Sequence, residues 1–266
     1  MKKSKSIWER IQPWHIFSLT LLYLVVAWLL SYFIDIRNIF NLQRYIQRFD
    51  RGFLWFQLFK EAQITEMLQW TFLGASVLLC GFIWGKLSGK GSKYTAKFFM
   101  FLGIGLAIMF MEDAGNVRHN IKEYTYFFFG RGQTVATLTE LAFYSVLGAI
   151  MMFAIIKYGT YIWHSKKTRF YLIIGFVSYG VISIASATRD INDWYLKTGD
   201  WLHQVVLNNA MAERFYGSVG FFLMDFLIEE SVELIGASAL FTALFSFLIF
   251  INNNEGYIDK KFNFKI

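Results

Sequence analysis

Phe221-Phe222-Leu223-Met224-Asp225-Phe226-Leu227-Ile228-Glu229-Glu230-Ser231-Val232-Glu233-Leu234 is the stretch on which the reading of this chain turns. Three glutamates fall within two helical turns, apolar residues flank them on both sides, and the run continues through Gly236-Ala237-Ser238-Ala239 to Phe250. A surface helix of a soluble protein keeps a polar face; a segment apolar all round and longer than about 20 residues reads as a membrane span. On such a helix Glu229 and Glu233 are spaced i, i+4 and Glu230 and Glu233 i, i+3, so like charges repel on one face. The cluster persists only if its members are protonated, paired with arginine or bound to a cation. Pairing with Arg118 or Arg189 is the structural alternative, in which the acids merely fasten helix ends.

Five further apolar runs accompany it. The six expected helices cover residues 14–34, 65–86, 96–113, 135–157, 168–188 and 220–250, which makes the chain an all-α, polytopic membrane protein forming one integral membrane domain over residues 1–266. Composition agrees: of 266 residues 56% are hydrophobic and 20% aromatic, mean hydropathy is +0.40, and there is one proline. The single cysteine, Cys80, excludes an internal disulfide. The basic N-terminus followed by the apolar run 15–33 is read as a retained first helix, because that run is long enough to span. The net charge of +7 does not point to nucleic acid, because lysine and arginine track topology. With the N-terminus cytoplasmic, the short inner segments hold residues such as Lys2, Lys3, Arg10, Lys86, Lys90, Lys93, Lys157, Lys166, Lys167, Lys260 and Lys261. The longer outer loops are poorer in basic residues, although the first carries Arg37, Arg44, Arg48, Arg51 and Lys60. The bias places both termini in the cytoplasm. The expected location is a prokaryotic cytoplasmic membrane. The outer connections 39–62 and 198–216 mix apolar and basic residues and are expected to lie as amphipathic helices on the membrane surface.

The acids are distributed the other way. Of nineteen, only Glu9, Glu255 and Asp259 belong to the inner side. The chain also repeats itself. Thr65-Glu66-Met67-Leu68-Gln69-Trp70-Thr71-Phe72-Leu73-Gly74-Ala75 aligns without gaps to Thr139-Glu140-Leu141-Ala142-Phe143-Tyr144-Ser145-Val146-Leu147-Gly148-Ala149. The odd-numbered helices end in Asp35-Ile36-Arg37-Asn38, Asp113-Ala114-Gly115-Asn116 and Asp190-Ile191-Asn192-Asp193. Three tandem helical hairpins would each leave the membrane at an aspartate and return at a glutamate.

The residues expected to carry chemistry gather at that acid-bearing end. If the third helix continues past Asp113, Glu112, Asn116 and His119 fall at i, i+4 and i+7 on one face. The candidate acid–base residues are Glu112, Asp113, His119 and Glu230. The candidate metal ligands are Glu112, His119, Glu229, Glu230 and Glu233, with Glu140 and Asp190 completing the ring. Arg118 has a simpler expectation, snorkelling to the headgroups. Of the four histidines, His15 and His164 lie at the inner side, so a three-histidine zinc site cannot be built at the outer one. The paired Glu-x-x-His motif of two-iron bundles is absent, and oxygen-rich ligands suit Mg, Ca or Mn. No phosphate-binding glycine loop or nucleophile elbow is present.

The acidic helix end Glu112-Asp113-Ala114-Gly115-Asn116, followed by Glu229-Glu230-Ser231-Val232-Glu233-Leu234-Ile235-Gly236, resembles a pattern in uncharacterised multi-pass prokaryotic membrane proteins. Those read Asp-Glu-Ala-Ala-Ser with a nearby histidine, then Glu-Glu-x-x-Glu-x-x-Gly. This chain has Asn116 in place of the serine, and the resemblance implies no known activity. Three functions follow from the residues. The first is a cation-dependent enzyme acting on a lipid or lipid-linked substrate, with one glutamate as general base. The alternatives are a cation- or proton-coupled transporter or channel component, and an accessory subunit whose acids meet a partner's basic residues. The inner halves of the helices offer only Ser76, Cys80, Ser183, Ser238, Thr242 and Ser246 as a polar path, which favours a one-sided site.

Overall fold

The computed structural model describes residues 12–48, 53–189, 191–207 and 218–253. Asp190, one of the expected ring acids, therefore lies outside the described residues, as do the chain ends. Among the described residues every regular element is helical. Helix α1 (Pro13–Ser31) opens with proline at its first position and widens into a π turn, Tyr32–Ile36. Two short helices follow, α2 (Gln43–Gln47) and α3 (Leu54–Phe59). Then come α4 (Ile64–Gly89), α5 (Lys93–Gly115), α6 (Val117–Phe129), α7 (Gln133–Tyr158), α8 (Lys166–Thr188) and α9 (Trp194–Leu207). The last membrane segment begins as α10 (Val219–Phe222), passes through π turns at Leu223–Glu229 and ends as α11 (Glu230–Asn253).

Six segments are long and apolar enough to cross a membrane: Pro13–Ile36, Leu54–Gly89, Lys93–Gly115, Gln133–Tyr158, Lys166–Thr188 and Val219–Asn253. They coincide with the six expected helices to within a few residues, apart from the short α3 that precedes α4. The chain is an integral membrane protein. The last segment is the axis of the bundle: 67% of its apolar window is buried, against 17–44% for the other five. Helices α8, α4 and α1 pack on α11, α5 packs on α4, and α7 packs on α5. Between α8 and α11 the approach is close because Gly175 lies against Leu240 and Gly236 lies against Tyr179, where a Cβ would collide. Small residues let two backbones meet in lipid, where packing replaces the hydrophobic drive. The half of the bundle far from the acids is filled by apolar side chains, including Phe99, Leu102, Leu240, Leu244 and Phe247.

Two connections differ from expectation. Among its described residues the connection 39–62 is not one amphipathic helix but short pieces, broken where Asn38, Phe40 and Asn41 adopt positive φ. Such conformations interrupt a helix, and asparagine tolerates them best among non-glycine residues. The second is α6, which the reading of the sequence passed over. It begins at Asn116 (φ 49°) and ends at Gly130 (φ 81°). Its far end exposes Tyr124, Phe127, Phe128 and Phe129, an aromatic tip suited to the membrane interface. Residues Trp194–Leu207 are helical, covering the first part of the expected 198–216 helix; 208–216 lie outside the described residues.

The sequence repeat has a counterpart in backbone geometry. Three residues after Asp35 and Asp113 stand Asn38 (φ 45°) and Asn116 (φ 49°), and at the corresponding place after residue 190 stands Asp193 (φ 52°). Asn116 itself caps its membrane helix, and Asn38 and Asp193 follow the ends of theirs within a few residues, each before a peripheral helix.

Candidate functional site

At the acid-bearing end of the bundle an open cavity of about 440 Å³ is enclosed by α4, α5, α6 and the last segment. Its walls include eight carboxylates: Glu61, Glu66, Glu112, Asp113, Asp225, Glu229, Glu230 and Glu233. Among the described residues the cationic side chains on those walls are Arg118 and Arg189, beside His119. The π turns help to explain the density of acids. Widening the helix over Leu223–Glu229 shifts the register, so Asp225, Glu229, Glu230 and Glu233 all face the same cavity.

Each acid is held differently. Gln69, fully buried on α4, donates its amide nitrogen to Asp113 Oδ2 at 2.6 Å and to Glu233 Oε2 at 3.0 Å. One amide thus links α4, α5 and α11. Tyr195 on α9 donates to Glu229 Oε2 at 2.6 Å, and burial followed by the nearby Glu229 charge raises the tyrosine's pKa. Arg189 reaches Asp225 at 3.5 Å. Glu66 accepts from the Ala62 backbone N–H. Glu230 has only 7% of its surface exposed, and its Oε2 has no hydrogen-bond partner within the protein. Gln69 Oε1 is likewise unpartnered.

Arg118 does not snorkel. It is buried, 3.1 Å from Glu112 and 3.5 Å from Glu140 in ion pairs, with its Nη1 donating to Ser186 Oγ at 2.6 Å. Its guanidinium also lies over the Tyr144 ring at 5.4 Å. Lys122, one turn along α6, joins Glu140 at 2.8 Å. Arg118 and Lys122 therefore pin α6 over the cavity through α5, α7 and α8. The structural alternative, fastening of the glutamate cluster by Arg118 or Arg189, is not the arrangement found for Glu230, because those arginines serve Glu112, Glu140 and Asp225.

The expected stripe of Glu112, Asn116 and His119 on one continuous helix is also corrected. The left-handed Asn116 ends α5, so His119 belongs to α6. The break nevertheless folds α6 back, and all three residues border the cavity. His119 Nε2 sits 3.3 Å from Arg118 Nη2. Burial, and then the charges of Arg118, Lys122 and Arg189, lower its pKa to about 4, so its imidazole is neutral at physiological pH. Of the expected site residues, Glu112, Asp113, His119, Glu229, Glu230 and Glu233 come together around the cavity, whereas Glu140 is engaged with Arg118 and Lys122 behind it. Among the described residues no group of three or more His, Cys, Asp or Glu is arranged to hold a metal ion.

A second open cavity, about 370 Å³ and mainly apolar, runs between α7 and α8. Glu112, Asp113, Tyr144 and Glu233 line both cavities. Its apolar walls include Met109, Met151, Met152, Ile155 and Phe176. Gly148 and Gly180 both line it, and at neither does any atom lie within 4 Å of where a Cβ would stand. No family model, curated protein or solved structure matches this chain.

Proposed function

We propose that this protein is a membrane-embedded enzyme acting on a lipid or lipid-linked substrate. The observation that carries the reading is the junction of the two cavities. A polar chamber rich in carboxylates and an apolar groove between α7 and α8 lie side by side, with Glu112, Asp113, Tyr144 and Glu233 in the walls of both. An amphipathic molecule fits that pairing, with its head among the acids and its chain along Met151, Met152 and Phe176. A lipid chain moving from the bilayer into this groove gains no hydrophobic drive, so what the apolar walls offer it is close packing.

Within the chamber, Glu112, Asp113 and Glu230 are the candidate acid–base groups, and neutral His119 stands beside them. Positioned carboxylates and imidazoles transfer protons to and from a reacting group held within hydrogen-bond reach. The apolar filling of the opposite half of the bundle, around Leu102, Leu244 and Phe247, supports a one-sided site over a through-path. The orientation read from lysine and arginine faces the chamber away from the cytoplasm.

The test is direct. Purified protein is reconstituted with a total bacterial lipid extract, and lipid species are followed by mass spectrometry. Time-dependent conversion of a species by wild type, lost in Asp113→Asn, supports the reading. Conversion by neither protein, with no lipid retained by wild type on native mass spectrometry, would count against it.

A further inference from the structure

We infer that the chamber recognises an ammonium group, so that the molecule it takes is a lipid or alkyl chain bearing a primary amine. This rests on the proposed lipid reading for the chain and on separate observations for the head.

The first observation is charge. Eight carboxylates face two arginines across one cavity, and both arginines already have carboxylate partners within 3.5 Å. In a membrane such a surplus has to be met by protons or by a positive guest. The second is a pair of unpartnered acceptors. Glu230 is 7% exposed and Gln69 is fully buried, yet among the described residues Glu230 Oε2 and Gln69 Oε1 receive no hydrogen bond. Buried acceptors are rarely left empty, and Glu230 lines the chamber. A donor brought by a guest can meet Glu230 there, and a charged donor is favoured beside so many carboxylates.

The third observation separates an ammonium from a metal ion. A divalent metal needs several oxygens converging at about 2.0–2.6 Å. The described residues contain no such group, and the Gln69 amide is wedged between Asp113 and Glu233. An ammonium instead spends three N–H donors on acceptors spread around it at ordinary hydrogen-bond lengths. Trp70, Phe221 and Phe226 also line the chamber, and aromatic faces favour an organic cation and its adjacent methylenes. The groove beyond Tyr144 then takes the alkyl chain.

The experiment measures thermal stabilisation of purified protein in excess neutral detergent, titrated with decylamine, decanol, ethylamine, and MgCl2, CaCl2 or MnCl2, at pH 7. Decylamine should stabilise saturably, with decanol at least tenfold weaker. Glu230→Gln should weaken decylamine binding at least tenfold while leaving the ligand-free melting temperature unchanged or raised. Should Glu230→Gln fail to fold, Glu66→Gln supplies the same readout. Equal binding of decanol and decylamine, or binding indifferent to both glutamate substitutions, overturns the ammonium site. So does a Glu230-dependent response to a divalent cation that decylamine does not displace. Gly148→Leu, which fills the groove, distinguishes the two proposals. If ethylamine binding depends on Glu230 but decylamine gains nothing from its chain and ignores Gly148→Leu, the ammonium site stands and the lipid groove fails. If Gly148→Leu blocks decanol and decylamine alike while Glu230→Gln changes neither, the groove stands and the ammonium site fails.

Discussion

Gln69 and Asp113, on neighbouring helices α4 and α5, meet at 2.6 Å, and the same Gln69 nitrogen reaches Glu233 on α11 at 3.0 Å. An amide NH2 between two carboxylates is neutral and has one N–H to donate to each. Gln69→Leu keeps the approximate volume and removes both donations. It should lower stability by about 1–3 kcal/mol, the cost of leaving buried polar groups unpaired. Gln69→Glu should be worse at neutral pH, because it adds a third acid with no donor. Melting curves of the two variants at pH 7 check the order, and a Gln69→Glu protein as stable as wild type would sink this account.

Arg118 offers a harsher test. Its guanidinium is shared by Glu112, Glu140, Ser186 and the face of Tyr144. Arg118→Ala strands buried carboxylates and should cost on the order of 3–5 kcal/mol. Arg118→Lys should rescue little, because an ammonium cannot span partners spread around a planar fork. Adding Glu112→Gln to Arg118→Ala should recover part of the loss, and a double-mutant cycle on melting temperature measures the coupling. Independent, additive effects would show that the ion pair contributes nothing.

Most of the fold was legible because membrane spans are written in uninterrupted apolar runs, and in lipid a helix is the only open-ended way to satisfy the backbone. The residues of the chamber were legible for a related reason: an acid such as Glu230 inside an apolar run has few innocent explanations. What escaped was set by contacts distant in sequence. Arg118 reads as a headgroup anchor until α6 turns back at Asn116, and nothing local to Val117–Phe129 says that its basic side will meet Glu140. Gln69 is one polar residue in a long apolar helix, and its role appears only when Asp113 and Glu233 arrive beside it. The left-handed Asn116 did have a local signal. Its Asp-x-x-Asn pattern matches Asp35-Ile36-Arg37-Asn38, and asparagine at a helix end is the residue that tolerates positive φ. The groove between α7 and α8 had none, since an open space between two apolar helices depends on how the other four hold them apart.

Topology can be checked without knowing the substrate. Among the described residues six segments are long and apolar enough to span, and the basic bias predicts that the side holding both ends of the bundle is the cytoplasm. In a Cys80→Ser background, a cysteine at exposed Lys93 should react with a membrane-impermeant maleimide only after cells are opened. A cysteine at Tyr124, 72% exposed on the aromatic tip of α6, should react in intact cells. The reverse pattern would turn the chamber toward the cytoplasm.

His119 makes the last prediction, in pH. Its pKa falls from an ordinary 6.5 to about 4, because burial and the charges of Arg118, Lys122 and Arg189 disfavour the imidazolium more than Glu140 favours it. Between those values the unfolded chain binds a proton that the folded chain does not, so stability rises with pH across that window. The histidine's contribution is therefore complete above about pH 6.5 and is lost as pH falls towards 4. His119→Asn, which keeps a polar ring-sized group but cannot titrate, should flatten this part of the stability profile relative to wild type. The comparison is one of differences, since the chamber carboxylates titrate in both proteins and cancel. Melting temperatures of both proteins from pH 4 to pH 7.5 give the answer. Parallel curves would show that His119 is not held neutral, and with it would go its assignment as a proton acceptor beside the carboxylates.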